Sequence, residues 1–200
     1  EVAPAFADRS FFESLRLEPY YEYTAGQVPA AASFLSALVA ETRATSLTLV
    51  HGDYSPKNIL LYQERLVLLD HEVIHFGDPA FDLGFSLAHL LSKAHHVVSR
   101  RAAFAAAADD YWATYRRDLG DLPWAGALEP RAVRHTLGCL LARVAGRSQL
   151  EYLSDDERRR QRDAVTRLMQ SPPETMPALV RLFVEEIERS EHSLSPAPDS

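Results

Sequence analysis

The sequence has few of the residues that build disulfides or metal clusters, and no long apolar run. Cys139 is the only cysteine among 200 residues, so an internal disulfide or a multi-cysteine metal site cannot form. No segment approaches the roughly 18 consecutive apolar residues of a membrane span, and no signal peptide opens the chain. These absences predict a cytoplasmic protein with no membrane partner.

Positive charge is also scarce. The formal net charge is −7, and Lys57 and Lys93 are the only lysines. Nucleic-acid binding needs a basic surface, so nucleic acid is not predicted as a partner. The acidic balance favours small cationic or neutral substrates instead. The single dense run of arginines, over residues 158–162, is mixed with aspartates and is typical of a solvated helix face.

Two common phosphate-binding motifs are missing as well. The sequence contains neither G-x-G-x-x-G nor G-x-x-x-x-G-K-[ST]. Its first 46 residues hold no lysine and no suitable glycine loop.

What the sequence does contain predicts one mostly helical domain. Hydrophobic residues make up 46% of the chain, enough for a single core. Apolar spacing predicts a helix after Pro29, and an all-helical region from Pro79 to near the end. Between them lie three short β candidates, at 47–50, 59–62 and 66–69, the last two joined by a hairpin turn at 63–65.

One short stretch permits two chemistries. His71, Glu72 and His75 match H-E-x-x-H, the zinc-protease pattern, which needs both histidines on one face of a stable helix. The preceding apolar run is typical of a buried strand, and Gly77 with Pro79 would end a helix at once. A zinc hydrolase is therefore retained only as a remote alternative.

The second chemistry is phosphoryl transfer. His51, Gly52 and Asp53, followed by Asn58, match H-x-D-x-x-x-x-N, the catalytic-loop pattern of kinases. A carboxylate is needed where an acceptor hydroxyl attacks, and an amide oxygen a few residues later can reach a metal ion. Asp70, across the hairpin from Asn58, would supply a second metal ligand.

Three segments in order extend this pattern to a family. "HGDYSPKN", "LVLLDHE" and "GDPAFDLG" resemble consecutive motifs in the C-terminal lobe of the aminoglycoside phosphotransferase and choline kinase family, relatives of the protein kinases. The resemblance implies an α+β, predominantly helical fold with a short central β hairpin region. It assigns residues 1–189 to a kinase-like C-terminal lobe, and the composition of 190–200 predicts a disordered tail.

The resemblance also implies roles for individual residues. Asp53 becomes the catalytic aspartate, and Asn58 and Asp70 become ligands of Mg²⁺ bridging the nucleotide phosphates. Glu72, the third letter of D-x-E, would hold a metal-bound water. Lys57 could reach a nucleotide phosphate, although a solvent-facing loop lysine is equally plausible.

Two further residues would support the loop. His51 is predicted to be a buried hydrogen-bonding brace, and Asp82 resembles the aspartate that anchors the backbone of the catalytic loop.

The function implied is transfer of the γ-phosphate of ATP or GTP to a hydroxyl group of a small molecule. Because a nucleotide-binding N-terminal lobe is missing from the sequence, we expect the isolated chain to be inactive and to self-associate through the face that such a lobe would cover. A non-catalytic binding module is the main alternative. Arg143 and Arg147 beside Glu151 do not select the acceptor.

Overall fold

The structure, a computed structural model, describes residues 2–192. Within that range, seven longer helices and four short strands follow one another, with short 3-10 helices between some of them. The helices are α1 (residues 10–27), α2 (Ala32–Ala44), α3 (Pro79–His96), α4 (Arg101–Leu119), α5 (Leu128–Ala145), α6 (Asp155–Gln170) and α7 (Met176–His192). The strands are β1 (Thr48–Val50), β2 (Ile59–Tyr62), β3 (Arg65–Leu68) and β4 (His75–Gly77). The predicted α+β, predominantly helical fold is confirmed.

Helix α1 has no counterpart among the predicted elements. Its middle part, Glu13–Glu22, has π-type hydrogen bonding and contains Pro19. A proline inside an α-helix lacks the N–H that its turn requires, and π-type turns are often found at functional sites. The Asp8 carboxylate accepts a hydrogen bond from the Ser10 N–H (2.9 Å) at the start of the helix.

The strand predictions are confirmed to within one residue, and one strand was missed. Strand β4 pairs antiparallel with β1, placing Val50 opposite His75. Strands β2 and β3 form the predicted hairpin. Its turn contains two residues rather than three, Gln63 and Glu64, both with positive φ (46° and 62°), as the tight turns that match strand twist require.

Helix α3 lies at the centre of the molecule. It packs against α4, α5, α6 and α7, and most of its residues are buried, as its nearly continuous apolar sequence predicts. Asp78 caps its first turn, because one carboxylate oxygen accepts from the Ala80 N–H (3.0 Å) and the other pairs with Arg131 (2.9 Å). The start of α3 is therefore tied to α5.

The close approach of α3 to α5 depends on Gly84. A Cβ atom added there would lie 2.5 Å from the His135 Cβ and 2.6 Å from the Thr136 backbone nitrogen. His135 is fully buried, and its Nδ1 bonds the Tyr21 hydroxyl (2.8 Å). The side chains beneath α3 thus connect α1 and α5.

The C-terminal part of the chain differs from the prediction at one boundary. The capping box at Ser154 and Glu157 is present at the start of α6 as predicted. Helix α7 reaches His192, so residues 190–192 are helical although the sequence predicts disorder from 190; the remainder of that predicted tail, 193–200, lies outside the described residues. Among residues 2–192, no helix is long and apolar enough to cross a membrane.

Gly84→Ala should destabilise the fold, because a new methyl group would press on the α5 backbone. We expect the free energy of unfolding to fall by about 1–3 kcal/mol, the usual cost of overpacking. Gly126→Ala is the matched control, since nothing lies within 4 Å of a Cβ there. Urea denaturation of both variants measures the difference, and equal stabilities would contradict the close helix contact.

Candidate active site

The H-E-x-x-H segment is not helical. His71 and Glu72 lie in an exposed turn, and His75 belongs to β4. The His71 ring lies tilted beside the His51 ring (5.1 Å between centroids), whereas the buried His75 ring lies 4.1 Å from that of Phe12. Residues 2–192 contain no group of three or more His, Cys, Asp or Glu arranged to hold a metal. The helical geometry that the zinc alternative requires is therefore absent.

The segment after β1 forms a tight loop that returns into β2. It leaves the sheet at Val50 and turns back through a short 3-10 helix, Pro56–Asn58. Gly52 has φ +79°, and a Cβ on it would meet the Val73 side chain at 2.8 Å. The loop can reach this conformation because glycine tolerates a left-handed backbone.

Asp82 holds the backbone of this loop. Its carboxylate, in the first turn of α3, accepts hydrogen bonds from the His51 N–H (2.7 Å) and the Gly52 N–H (2.8 Å). Burial raises the pKa of Asp82 to about 6, and the two N–H donors oppose that rise. The loop is thus attached to the central helix by one side chain.

His51 joins the same loop to the end of β3. Its Nδ1 accepts from the Asp53 N–H (3.2 Å), so Nε2 carries the proton and donates to the Leu69 carbonyl (3.0 Å). Burial lowers the pKa of His51, which favours this neutral tautomer. The side chain is buried and bridges two backbone segments.

The Asp53 carboxylate lies at the centre of the cluster. It is buried, and its Oδ2 is 3.2 Å from an Arg16 guanidinium nitrogen and 3.1 Å from the Lys57 ammonium. The same oxygen accepts from the Asn58 side-chain amide (2.8 Å). One carboxylate is therefore fixed by three donors, two of them cationic.

Arg16 is a site residue that the sequence reasoning missed. Its side chain is only 12% exposed, and its Nε donates to the Gly52 carbonyl (2.6 Å). Helix α1 brings it to the loop from 36 residues earlier in the chain. No local pattern around Arg16 indicates this contact, so only the tertiary structure reveals it.

The hairpin brings Asn58 and Asp70 together. Ile59 pairs with Leu68, and the Asn58 carbonyl accepts from the Leu69 N–H (2.9 Å), so Asp70 directly follows the partner of Asn58. Asp70 is exposed and has a positive φ of 64°, a conformation that is uncommon outside glycine and often found at functional sites.

These residues fit a magnesium ion. Both amide hydrogens of Asn58 point to Asp53, at 2.8 Å to Oδ2 and 2.9 Å to the carbonyl, which leaves Oδ1 as an oxygen ligand. The carboxylate of Asp70 adds the hard, anionic oxygen that Mg²⁺ prefers. Glu72 lies exposed two residues later.

A separate groove of about 1040 Å³ opens between β1, α3 and α4. It reaches Asp82 and Tyr54 but not Asp53, and its walls are mainly apolar and aromatic, including Leu49, Tyr111, Tyr115 and Trp124. Because it does not contain the cluster around Asp53, we do not assign it to the site.

Comparison with known proteins places this arrangement in a family. The sequence profile described as the phosphotransferase enzyme family (APH) matches residues 4–128. The chain belongs to the phosphotransferase enzyme family. The matched region runs from before α1 to the start of α5 and so includes Arg16, Asp53, Asn58, Asp70 and Asp82. No curated protein matches the chain significantly.

Membership of the phosphotransferase enzyme family gives the cluster a kinase-like context. Phosphoryl transfer needs a carboxylate at the acceptor hydroxyl, metal ligands beside it, and positive charge for the phosphoryl oxygens. The described residues supply all three kinds of group at one edge of the hairpin. Lys57, whose side chain is 66% exposed, is the most accessible of the cations.

Asp82→Asn should loosen the loop that carries Asp53 with little loss of global stability. An amide has only one acceptor oxygen for two N–H donors, but it also removes a partly buried charge, so we expect unfolding free energies within about 1 kcal/mol of wild type. Amide exchange at His51 and Gly52 should accelerate. Asp121→Asn, an exposed loop position, is the control. Unchanged exchange in Asp82→Asn would contradict the anchoring role.

Proposed function

We propose that this protein transfers the γ-phosphate of ATP or GTP to a hydroxyl group of a small molecule, with Mg²⁺ as cofactor. One observation carries the proposal. Asn58 binds the buried Asp53 carboxylate through its amide nitrogen, while the hairpin register sets Asp70 immediately beyond the partner of Asn58. This register supports a site in which Asp53 supplies the carboxylate and Asn58 and Asp70 supply oxygen ligands for a metal.

In this proposal Asp53 orients the acceptor hydroxyl and accepts its proton late in a loose transition state. Magnesium, when bound by Asn58 and Asp70, would neutralise charge on the nucleotide phosphates. Lys57 extends from the loop to Asp53, where it can reach the transferred phosphoryl group. Glu72 would contribute through a metal-bound water.

Arg16 keeps the Asp53 carboxylate in place. It bonds both Asp53 and the carbonyl of Gly52, so the carboxylate and the loop backbone share one donor. We assign it a positioning role, together with His51 and Asp82, because each of these side chains fixes the loop rather than facing a substrate.

The β2–β3 hairpin presents apolar side chains to solvent beside the metal ligands. Leu60, Leu61, Tyr62, Leu66 and Val67 are all between 40% and 71% exposed. Contiguous apolar surface of this kind usually marks an interaction site. We assign it to the nucleotide base and to a nucleotide-binding lobe, or to self-association where no such lobe covers it.

The 200-residue chain alone is expected to bind MgATP poorly. Residues 2–192 form no glycine-rich loop over Asp70, so the phosphates lack a backbone cradle. A non-catalytic module that binds small molecules is the second candidate for this chain, because the acceptor side of the site does not depend on that loop.

Asp53→Asn should lower phosphoryl transfer by about 100-fold or more, because the carboxylate acts on the acceptor in the transition state. The assay follows ADP or GDP release by the longest native form of the protein that contains this chain, with a panel of hydroxyl acceptors.

MgATP affinity should change little in the same variant, which separates loss of chemistry from loss of binding. Asp156→Asn, on the exposed face of α6, controls for the loss of one negative charge. Normal turnover by Asp53→Asn would remove this residue from the mechanism. Absence of turnover with every acceptor in wild type would favour the non-catalytic module.

A further inference from the structure

The surroundings of Asp53 are basic although the chain as a whole is acidic. Arg16 and Lys57 already place two cations on one carboxylate. A third and a fourth cation, Arg143 and Lys93, lie along the adjoining surface of α3 and α5, and neither is needed to hold Asp53.

Within residues 2–192, Arg143 has no counter-ion. Its guanidinium donates to the Tyr20 hydroxyl (2.9 Å) and the Ser148 carbonyl (2.8 Å), and its other terminal nitrogen is 3.3 Å from His89 Nε2. All these partners are neutral. Its Nε is buried without a hydrogen-bond partner, and within residues 2–192 no carboxylate forms an ion pair with it.

Several other buried or half-buried arginines are neutralised by carboxylates. Arg101 pairs with Glu191 at 2.7 Å, Arg131 with Asp78 at 2.9 Å, and Arg16 with Asp53 at 3.2 Å. A guanidinium removed from water needs an anion or a full set of acceptors to repay its desolvation. Among residues 2–192, Arg143 shares the lack of an ion pair, and a buried Nε without a partner, with the half-buried Arg9 and Arg160. Of the three, Arg143 lies beside Arg16 against the Phe85 ring, so an anion bound there would complete its guanidinium next to the Asp53 cluster.

Lys93, on α3, is a second cation without a carboxylate partner among residues 2–192. Its ammonium lies 3.5 Å above the centre of the Tyr152 ring, and across the described part of the chain no carboxylate pairs with it. The Tyr152 hydroxyl is itself buried and has no partner. The Lys93 ammonium is thus available to an anionic ligand.

A single stripe of α3 links these groups to Asp53. Phe85, His89 and Lys93 are spaced by four residues and lie on one helix face, spanning about 12 Å. The guanidinium groups of Arg16 and Arg143 lie 5.9 and 5.7 Å from the centre of the Phe85 ring.

His89 is close enough to the cations and to Asp53 to respond to their charges. Burial, then the positive charge of Arg143, lowers the pKa of His89 to about 4, with Lys57 and Lys93 adding to this effect and Asp53 opposing it. His89 is therefore neutral at physiological pH and does not add to the positive charge, but it can accept or donate a hydrogen bond.

We propose that the acceptor substrate carries an acidic group, a carboxylate or a phosphate, which Arg143 and Lys93 bind while the acceptor hydroxyl lies at Asp53. The planar fork of an arginine matches both acidic groups. Cationic acceptors would meet uncompensated positive charge and be disfavoured. This inference rests on the proposed phosphotransferase function and names its substrate class.

The test is titration calorimetry of the purified chain at low ionic strength with four small hydroxyl compounds. D-glycerate and glycerol 3-phosphate carry the two acidic groups, glycerol is neutral, and choline is cationic. We expect at least one anionic compound to bind tenfold or more tightly than glycerol and choline. The anionic compound that binds with the higher affinity identifies the acidic group as carboxylate or phosphate.

Arg143→Gln and Lys93→Gln should each weaken that binding tenfold or more. Arg181→Gln removes the same charge from the exposed face of α7 and should leave anion binding unchanged. Equal or tighter binding of glycerol or choline, no binding of either anion, or normal anion binding by both Arg143→Gln and Lys93→Gln would overturn the proposal. So would a variant that weakens MgATP but not the anions, since the cations would then serve the nucleotide.

Failure of the phosphotransferase function gives a different result. It would appear as no turnover by the longest native form with any acceptor, while the calorimetric comparison of anions with neutral and cationic compounds would stand by itself.

Discussion

The loop that carries Asp53 depends on one carboxylate, that of Asp82. Two backbone N–H groups of the loop point at this side chain, and the side chain projects from the first turn of the most buried helix in the molecule. Because α3 is tied to α5 through Asp78 and Arg131, the loop is held against the packed helical core. The pKa of Asp82 is raised because this carboxylate is buried where it accepts the two loop hydrogen bonds.

Helix α1 completes the site from the opposite side. Arg16 reaches the Gly52 carbonyl and the Asp53 carboxylate, while Tyr21 of the same helix bonds His135 on α5. The Asp53 carboxylate is therefore fixed from three directions, by its own loop, by α3 through Asp82 and by α1 through Arg16. Such fixed placement matters in phosphoryl transfer, where catalysis depends mainly on positioning and on charge stabilisation.

Local charge and net charge have opposite signs in this protein. A chain with a formal charge of −7 collects both of its lysines and two arginines around one carboxylate and one neutral histidine. Composition alone favours cationic or neutral ligands, but the surface next to Asp53 attracts anions. Electrostatic fields at short range follow the nearest groups, so the average charge says little about a single site.

The sequence predicted the helical fold, the hairpin and the loop residues from His51 to Asn58, because these follow from local periodicity and from spacing within about thirty residues. It also placed Asp70 and Asp82 beside that loop through their motifs. Strand β4 escaped prediction because three residues carry too little periodicity, and the π-type helix α1 because a proline interrupts its pattern. The contact of Arg16 with Asp53, and the lack of carboxylate partners for Arg143 and Lys93 among residues 2–192, are visible only in the folded chain. These contacts join helices far apart in the chain, and whether a charge is paired depends on packing between those helices, which no local pattern records.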